Sequence, residues 1–276
     1  MVVPFFGAGG ESLAAEKLFS IGPLPITNSM IFGLLTAAFV LGLFGLAARA
    51  SSLWPKSRLA FWCENFVDMV LDLMAESFGD RKKAQRFFPL LLTLFVFILA
   101  SNFSGLLPGV QTITYNADGT PIGLFRAWTT DLNSTLALAV LSLATVHIYA
   151  LRELGIVGRF RHYFSGNLLN PMNIFIGLNE VFGEVLRLVT LSLRLFGVIY
   201  GGEALLFAIA HLAGNFAWAA TLPIMFLEIF FSLVQAYLFM MLTATYLVMA
   251  LPHEGQESEA APKPAAAMPN GRQAKA

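Results

Sequence analysis

Three uninterrupted apolar runs, Ile26–Ala48, Phe87–Leu107 and Leu132–Leu151, organise the first part of the chain. Each is near the roughly 20 residues a helix needs to cross a hydrocarbon core of about 30 Å. The first two hold no charged side chain, and the third holds only His147. Two longer apolar stretches follow, Asn170–Leu212 and Phe216–Leu251, and these do carry charge. No proline follows Pro171 in the former. A continuous helix over that stretch would be roughly 65 Å long, about twice the core thickness. A steeply inclined helix hairpin solves the mismatch, with a turn near Ala213-Gly214-Asn215. Gly177, Gly183, Gly197, Gly201 and Gly202 would let another helix come close. The pattern predicts an all-α polytopic membrane protein: five transmembrane helices, the last two long and forming a steeply tilted hairpin.

The connecting segments set the layout. Arg49, Lys56, Arg58, Arg81, Lys82, Lys83 and Arg86 lie between the first two runs, and Arg152, Arg159 and Arg161 follow the third. The opposite segments hold only Lys17 and Arg126. Basic residues stay on the inner side, so the N-terminus is expected outside and the C-terminus inside, which requires an odd number of crossings. The expected order is an outer segment (1–25), a first helix (26–48) and an inner segment (49–86). Two helices joined by an outer loop (87–151), an inner loop (152–169), the ion-path hairpin (170–251) and a disordered tail (252–276) follow. Within the inner segment Glu64, Asp68, Asp72 and Glu76 recur every four residues between apolar ones from Leu59 to Phe78. That spacing predicts an amphipathic helix on the inner membrane surface or against a partner, with an ordinary solvated face as the alternative. In the outer loop, Thr112-Ile113-Thr114-Tyr115 before Asp118-Gly119 predicts a short hairpin. The first apolar run is too long, and too acidic in what precedes it, for a cleaved signal.

Composition narrows the function. Hydrophobic residues make up 57% and charged residues 12% of 276 residues, with 17 basic and 17 acidic side chains. Such a chain lacks the charge to cover a soluble surface and the net charge to hold nucleic acid. The single cysteine excludes an internal disulfide and a cysteine metal cluster. No G-x-x-x-x-G-K-[ST] sequence is present to bind a nucleotide, and no Ser-His-Asp set stands out. No cofactor is expected.

The chemistry is concentrated in the last two stretches, which hold Glu180, Glu184, Arg187, Arg194, Glu203 and Glu228. An ionisable group at mid-bilayer costs at least ~2.5–3.5 kcal/mol on insertion scales and marks a functional site by default. Glu180, Glu184, Arg187 and Arg194 step by three or four and share a helix face. Glu180 and Glu184 can offset Arg187, whereas Arg194 has no acid within four residues. Glu228 and Gln235 are two turns apart on one face, and Tyr246 falls close to it. Carboxylates on either side of a cation that cannot deprotonate form a proton relay with a barrier. The alternative is that Arg194 pairs internally with Glu203 or Glu228 and only fixes packing. His147 reads as an interface histidine and His211 as a residue of a wet vestibule near the turn. Asp131 and Asn133 suit either a helix N-cap or the lining of a channel.

The stretch Leu191-Ser-Leu-Arg-Leu-Phe-Gly-Val-Ile-Tyr-Gly-Gly-Glu203 resembles the signature of subunit a of F-type ATP synthases. Glu228 with Gln235-Ala236-Tyr237 and Leu242-Thr243 to Tyr246, Asn102 before Leu106-Leu107-Pro108, and Asp131-x-Asn133 are similar to the same family. The resemblance covers most of Leu90–Ala250. It implies a stator subunit beside a rotating ring of c subunits, held by b subunits in a cell inner membrane. The N-terminus would then be periplasmic and the C-terminus cytoplasmic. In it Arg194 takes the place of the essential arginine. Glu203, Glu228 and Gln235 match the half-channels, Glu180 an acidic position, and Asp131 and Asn133 the inlet side. The chain would move protons and bind no nucleotide itself. Two departures stand out: Val198 replaces the usual asparagine, and Gly105 stands where many relatives have an acid. An ion-coupled transporter or channel subunit is the competing reading, although no internal repeat is visible. An intramembrane enzyme would need paired catalytic groups that the sequence lacks.

Overall fold

The computed structural model describes residues 15–21, 24–50, 58–107, 110, 113–117, 120–123, 125–163 and 171–250. The tail, most of the segment ahead of the first apolar run, and Asp118-Gly119 lie outside the described residues. Six helices and two small hairpins make up the described part. Strands β1 (Lys17–Ile21) and β2 (Leu24–Thr27) pair antiparallel with a bulge between Lys17 and Phe19. This hairpin has no counterpart in the sequence reading. Its strands are too short to show alternation, and Pro25 sits in one of them. Ile26 and Thr27 are held in β2, so helix α1 (Asn28–Ala50) starts later than hydropathy alone suggests. Thr27 Oγ1 accepts the Met30 N–H at 3.4 Å there, as a capping hydroxyl does.

Helix α2 (Arg58–Phe78) is amphipathic. Val70, Leu71, Met74 and Phe78 are buried, and the helix packs on its neighbours α3 (Arg81–Gly105) and α6 (Ala217–Ala250). Glu64, Asp68, Asp72 and Glu76 stay exposed, and so do Phe61, Trp62 and Met69. Arg81 reaches Asp72 at 3.1 Å and Asp68 at 3.6 Å, exposed pairs that add little stability. Between α2 and α3 the chain reverses at Gly79-Asp80, and the Asp80 carboxylate accepts the Lys82 N–H at 2.9 Å.

After α3, strands β3 (Thr114–Ala117) and β4 (Thr120–Gly123) form the expected hairpin, and a 3₁₀ turn at Trp128–Thr130 leads into α4 (Leu132–Tyr163). Helix α4 breaks direction at Gly155, with φ 70° and ψ 167°. The segment read as a loop from residue 152 is therefore helical as far as Tyr163: charge ends a membrane run but does not end a helix. Helices α5 (Pro171–Ala213) and α6 form the long hairpin, joined by a 3₁₀ turn at Gly214–Phe216. Gly214 takes φ +53°, which an L side chain tolerates poorly, and this places the reversal there.

Helix α6 is the centre of the packing and touches α2, α3, α4 and α5; α1 lies to one side against α3. Met74, Phe87, Leu91, Ile98, Leu195, Phe239, Met240 and Leu247 form the middle of one continuous core. Leu34, Leu35, Phe39, Leu41 and Leu46 of α1 and many side chains of α5 and α6 face outward. Four described stretches are long and apolar enough to cross a membrane: Asn28–Leu46, Arg81–Gly105, Leu132–Glu153 and Met172–Ala250, the last holding both α5 and α6. With outward apolar faces and lengths that match or exceed the bilayer core, these helices define a multi-pass all-α membrane protein.

Replacing Gly214 by Ala should cost about 1 kcal/mol through the unfavourable φ. It should lower the thermal midpoint of the detergent-solubilised protein, whereas Gly183→Ala, in a regular helix with open space around its Cβ position, should not.

Candidate ion path

The site follows from how α5 lies against its neighbours. Leu191, Ser192, Leu195, Ile199 and Leu206 are buried and anchor α5 to the bundle. The opposite face carries Thr190, Leu193, Arg194, Gly197, Gly201 and Leu205, all exposed. Arg194 therefore points away from the core, with small residues on the next two turns. Nothing lies within 4 Å of a Cβ built on Gly197 or Gly201, so that face is flat and open. Among the described residues no ion pair or hydrogen bond engages Arg194. The alternative of an internal pair with Glu203 or Glu228 is absent.

Two groups of polar side chains flank this arginine. Toward the α5–α6 turn, Glu228 is 5% exposed and lies against Gly202. A Cβ at residue 202 would sit 2.8 Å from Glu228 Oε1, so only glycine permits this approach. Of the α5 glycines with open space or close neighbours, Gly183, Gly197 and Gly201 have none near, and Gly202 makes the tight contact. Glu203 is half-buried, and its Oε1 lies 3.8 Å from where a Cβ on Gly105 would be. Its carboxylate thus reaches the end of α3, at the position where an acid was expected from the resemblance and glycine stands. An added side chain at Gly105 would also meet the Ala127 Cβ at 2.6 Å.

A row of buried polar atoms continues along the α3–α6 seam. Ser101 Oγ, Asn102 Oδ1, Ser232 Oγ, Gln235 Nε2, Glu228 Oε2 and, in the 3₁₀ turn, Thr129 Oγ1 make no hydrogen bond among the described residues. Asn102 Nδ2 donates to the Ser232 carbonyl at 3.4 Å. Each unpaired buried group costs about 1–3 kcal/mol, so these atoms stand apart from an ordinary packed interior, where buried polar groups are paired. Asp131 is buried and caps α4: its carboxylate accepts the Asn133 N–H at 3.1 Å, the Ser29 hydroxyl at 3.2 Å and the Ser134 hydroxyl at 3.5 Å. It ties the starts of α1 and α4 together. The Asn133 side chain is exposed, and His211 is exposed in the last turn of α5, two turns beyond Glu203.

On the Pro171 side of Arg194, Glu180 and Glu184 are half-buried. Arg187 places its guanidinium 5.0 Å from the centre of the Tyr246 ring, and Glu184 Oε2 meets His147 Nε2 of α4 at 3.1 Å. The contacts Gly202–Glu228 and Arg187–Tyr246 fix the antiparallel register of α5 and α6. That register puts the buried Gln235 at the level of Leu195 to Val198, while Arg194 faces outward from the same part of α5. The structure thus gathers Glu203, Glu228 and Gln235 on one side and Glu180 and Tyr246 on the other. Asp131, Asn133 and His211 lie at the far end. Sequence reading missed Ser29, Ser101, Ser232 and the His147–Glu184 contact. Lone hydroxyls in apolar runs carry little signal, although Ser232 lies one turn from Glu228 on the face it shares with Gln235.

Fold and site together describe a multi-pass membrane protein with ionisable groups on both sides of Arg194, an exposed arginine that no described residue pairs. Comparison with known proteins makes this specific. The ATP synthase A chain family matches residues 30–248, and the chain belongs to that family. ATP synthase subunit a of Moorella thermoacetica is 32% identical over 232 residues, which is 84% of this chain and 94% of that protein. The subunit a of Desulfotalea psychrophila is 35% identical over 69% of this chain and 72% of its own length. ATP synthase subunit a 2 of a Bradyrhizobium species is 31% identical over 87% and 95%.

Gly202→Ala should push the Glu228 carboxyl out of its seat. ATP-driven acidification of inverted vesicles should fall several-fold, while Gly183→Ala, with open space around it, should leave the rate within about twofold.

Proposed function

We propose that this chain is the membrane stator subunit of an F-type ATP synthase, and that it gives protons two separate half-paths to a rotating ring of c subunits. The observation that carries this reading is Arg194: exposed on a flat face of α5 and without a partner among the described residues. An arginine in that position holds its charge at any relevant pH and attracts a carboxylate brought by a neighbour. A ring of small helical hairpins, each with a membrane carboxylate, supplies that partner one acid at a time.

Protons enter from outside near Asp131 and Asn133, with His211 at the rim, and follow the unpaired polar row along Asn102 and Ser232. Glu203 and Glu228, with Gln235 buried at the level of Leu195 to Val198, deliver the proton to the arriving ring carboxylate. Neutralised, that carboxyl enters lipid at tolerable cost. On the other side of Arg194 a ring carboxylate gives up its proton to the path past Arg187, Tyr246 and Glu180. Arg194 blocks direct passage, so protons cross only as the ring turns. Each charge moved through 100 mV supplies about 2.3 kcal/mol. ATP-driven pumping uses the same parts in reverse. The chain itself binds no nucleotide, and the b subunits hold it still. The basic residues between helices orient it with the N-terminus periplasmic and the C-terminus cytoplasmic in a cell inner membrane.

Arg194→Ala should abolish ATP-driven acidification of vesicles carrying the full complex while nucleotide hydrolysis by the peripheral sector persists. Coupled pumping retained in that variant would overturn the role given to the arginine. Glu203→Gln and Glu228→Gln should each slow proton flow about tenfold; unchanged flux in both would make them packing residues.

A further inference from the structure

The contact between His147 and Glu184 belongs to neither the arginine nor the row of polar groups near Glu228. It joins the middle of α4 to α5 on the Pro171 side of Arg194. Glu184 Oε2 and His147 Nε2 are 3.1 Å apart, with the carboxylate side chain 15% and the imidazole 35% exposed. One member is thus inside the seam and the other at its edge. Both lie among apolar surroundings: Val146 and Ala150 are buried beside the histidine, and Leu191 is buried further along α5.

A histidine that only cements two helices is commonly fixed through both ring nitrogens, because a bond on the second nitrogen sets the tautomer. Here Nδ1 is buried and makes no hydrogen bond among the described residues. The tautomer is therefore set by Glu184: Nε2–H donates to the ionised carboxylate, and Nε2 accepts when that carboxyl is protonated. A carboxylate and an imidazole at this distance share a hydrogen bond along which a proton can pass. The other charged or titratable groups at this level are Glu180 and Arg187 of α5, Tyr246 of α6, and Arg152 and Glu153 of α4. Arg187 lies over the Tyr246 ring, and Glu153 is held by Arg86 of α3 at 2.6 Å. Ten residues of helix place Glu184 about 15 Å along α5 from Arg194.

We infer that His147 and Glu184 together form a proton-exchange station on the inner half-path, passing protons between the region beside Arg194 and the inner water. The inference rests on the proton-path reading given above. In the outward-to-inward direction the Glu184 carboxylate takes a proton released by a ring carboxyl and carried by a protonated water on the Arg194 side, and becomes the acid. It passes that proton to the unprotonated Nε2 of the Nδ1–H form of the imidazole, which restores the carboxylate and forms imidazolium. The half-exposed ring then turns toward the inner water and releases the proton, which restores the neutral imidazole. One proton enters, one leaves, and no other bond changes. His147 and Glu184 act here as relay residues, and the pair gives the inner path a fixed proton acceptor where the other groups at hand include a permanently charged arginine.

The test uses inverted vesicles holding the complete complex, with ATP-driven acidification and ATP hydrolysis read in parallel and assembly followed by recovery of the complex. His147→Ala and Glu184→Gln should each slow acidification several-fold without changing protons moved per ATP. Free imidazole at millimolar concentration should restore most of the rate to His147→Ala, a rescue that a merely structural role would not show. The paired variant His147→Leu with Glu184→Leu removes both members of this contact at once. It should assemble and be as slow as either single change, since the two act as one unit. A paired variant that pumps at the original rate, or one that cannot assemble, overturns the inference, as does a slowed His147→Ala that imidazole leaves unmoved. Arg194→Ala in the same assay separates the levels. Loss of pumping there with untouched His147 variants removes only the relay, whereas retained pumping removes the path on which it rests.

Discussion

A charge that cannot be neutralised, set in a surface made of apolar side chains, is the constraint around which this molecule is arranged. Arg194 carries that charge on the outward face of α5, and nothing among the described residues answers it. Burial of an uncompensated ion is costly enough that a fold avoids it unless a partner arrives from elsewhere. The surroundings fit that arrival. Gly197 and Gly201 leave the next two turns flat, and the anchoring residues Leu191, Leu195 and Ile199 turn the opposite face into the core. The arginine is held firmly from behind and left open in front.

The long hairpin sets polar groups on both sides of one charge. At about 1.5 Å per residue, α5 extends well past the bilayer core on both sides of Arg194, so the same helix positions Glu203 beyond it and Glu184 before it. Helix α6 runs back alongside and contributes Glu228 against Gly202, a buried Gln235, and Tyr246 under Arg187. Antiparallel pairing thus sorts the polar groups of both helices into two sets. The missing Cβ of Gly202 is what lets the buried carboxyl of Glu228 sit in the α5–α6 seam. At Gly105 the exchange runs the other way: the absence of a side chain leaves room that the Glu203 carboxylate approaches from α5.

Much of this was legible in the sequence because bilayer length and charge are strong, local signals. The apolar runs, the amphipathic helix and the turn at Gly214 follow from hydropathy, four-residue spacing and a glycine between two long helices. The hairpin Lys17–Thr27 was not legible, since its strands are short and one contains Pro25. Nor was the helical stretch from Arg152 to Tyr163, where the sequence marks the end of apolarity but not the end of hydrogen bonding. In the site, Arg194, Glu203 and Glu228 stand out as ions in apolar segments. Their neighbours do not: Ser232, Ser101 and Ser29 look like ordinary small residues until packing brings α1, α3, α4 and α6 together. The pairing of His147 with Glu184 was equally hidden, because contacts between helices depend on register, which periodicity within one helix does not contain.

The central claim, that the open face around Arg194 meets carboxylates carried by a moving neighbour, is tested most directly by disulfide cross-linking in intact membranes. Gly197→Cys, one turn beyond the arginine on the same exposed face, is paired with a cysteine one turn from the membrane carboxylate of the ring protein. Rapid cross-linking that stops ATP-driven pumping, and releases it on reduction, is the predicted result. No cross-link from Gly197→Cys, together with efficient cross-linking from a cysteine at Leu34 on the outward face of α1, would contradict the account.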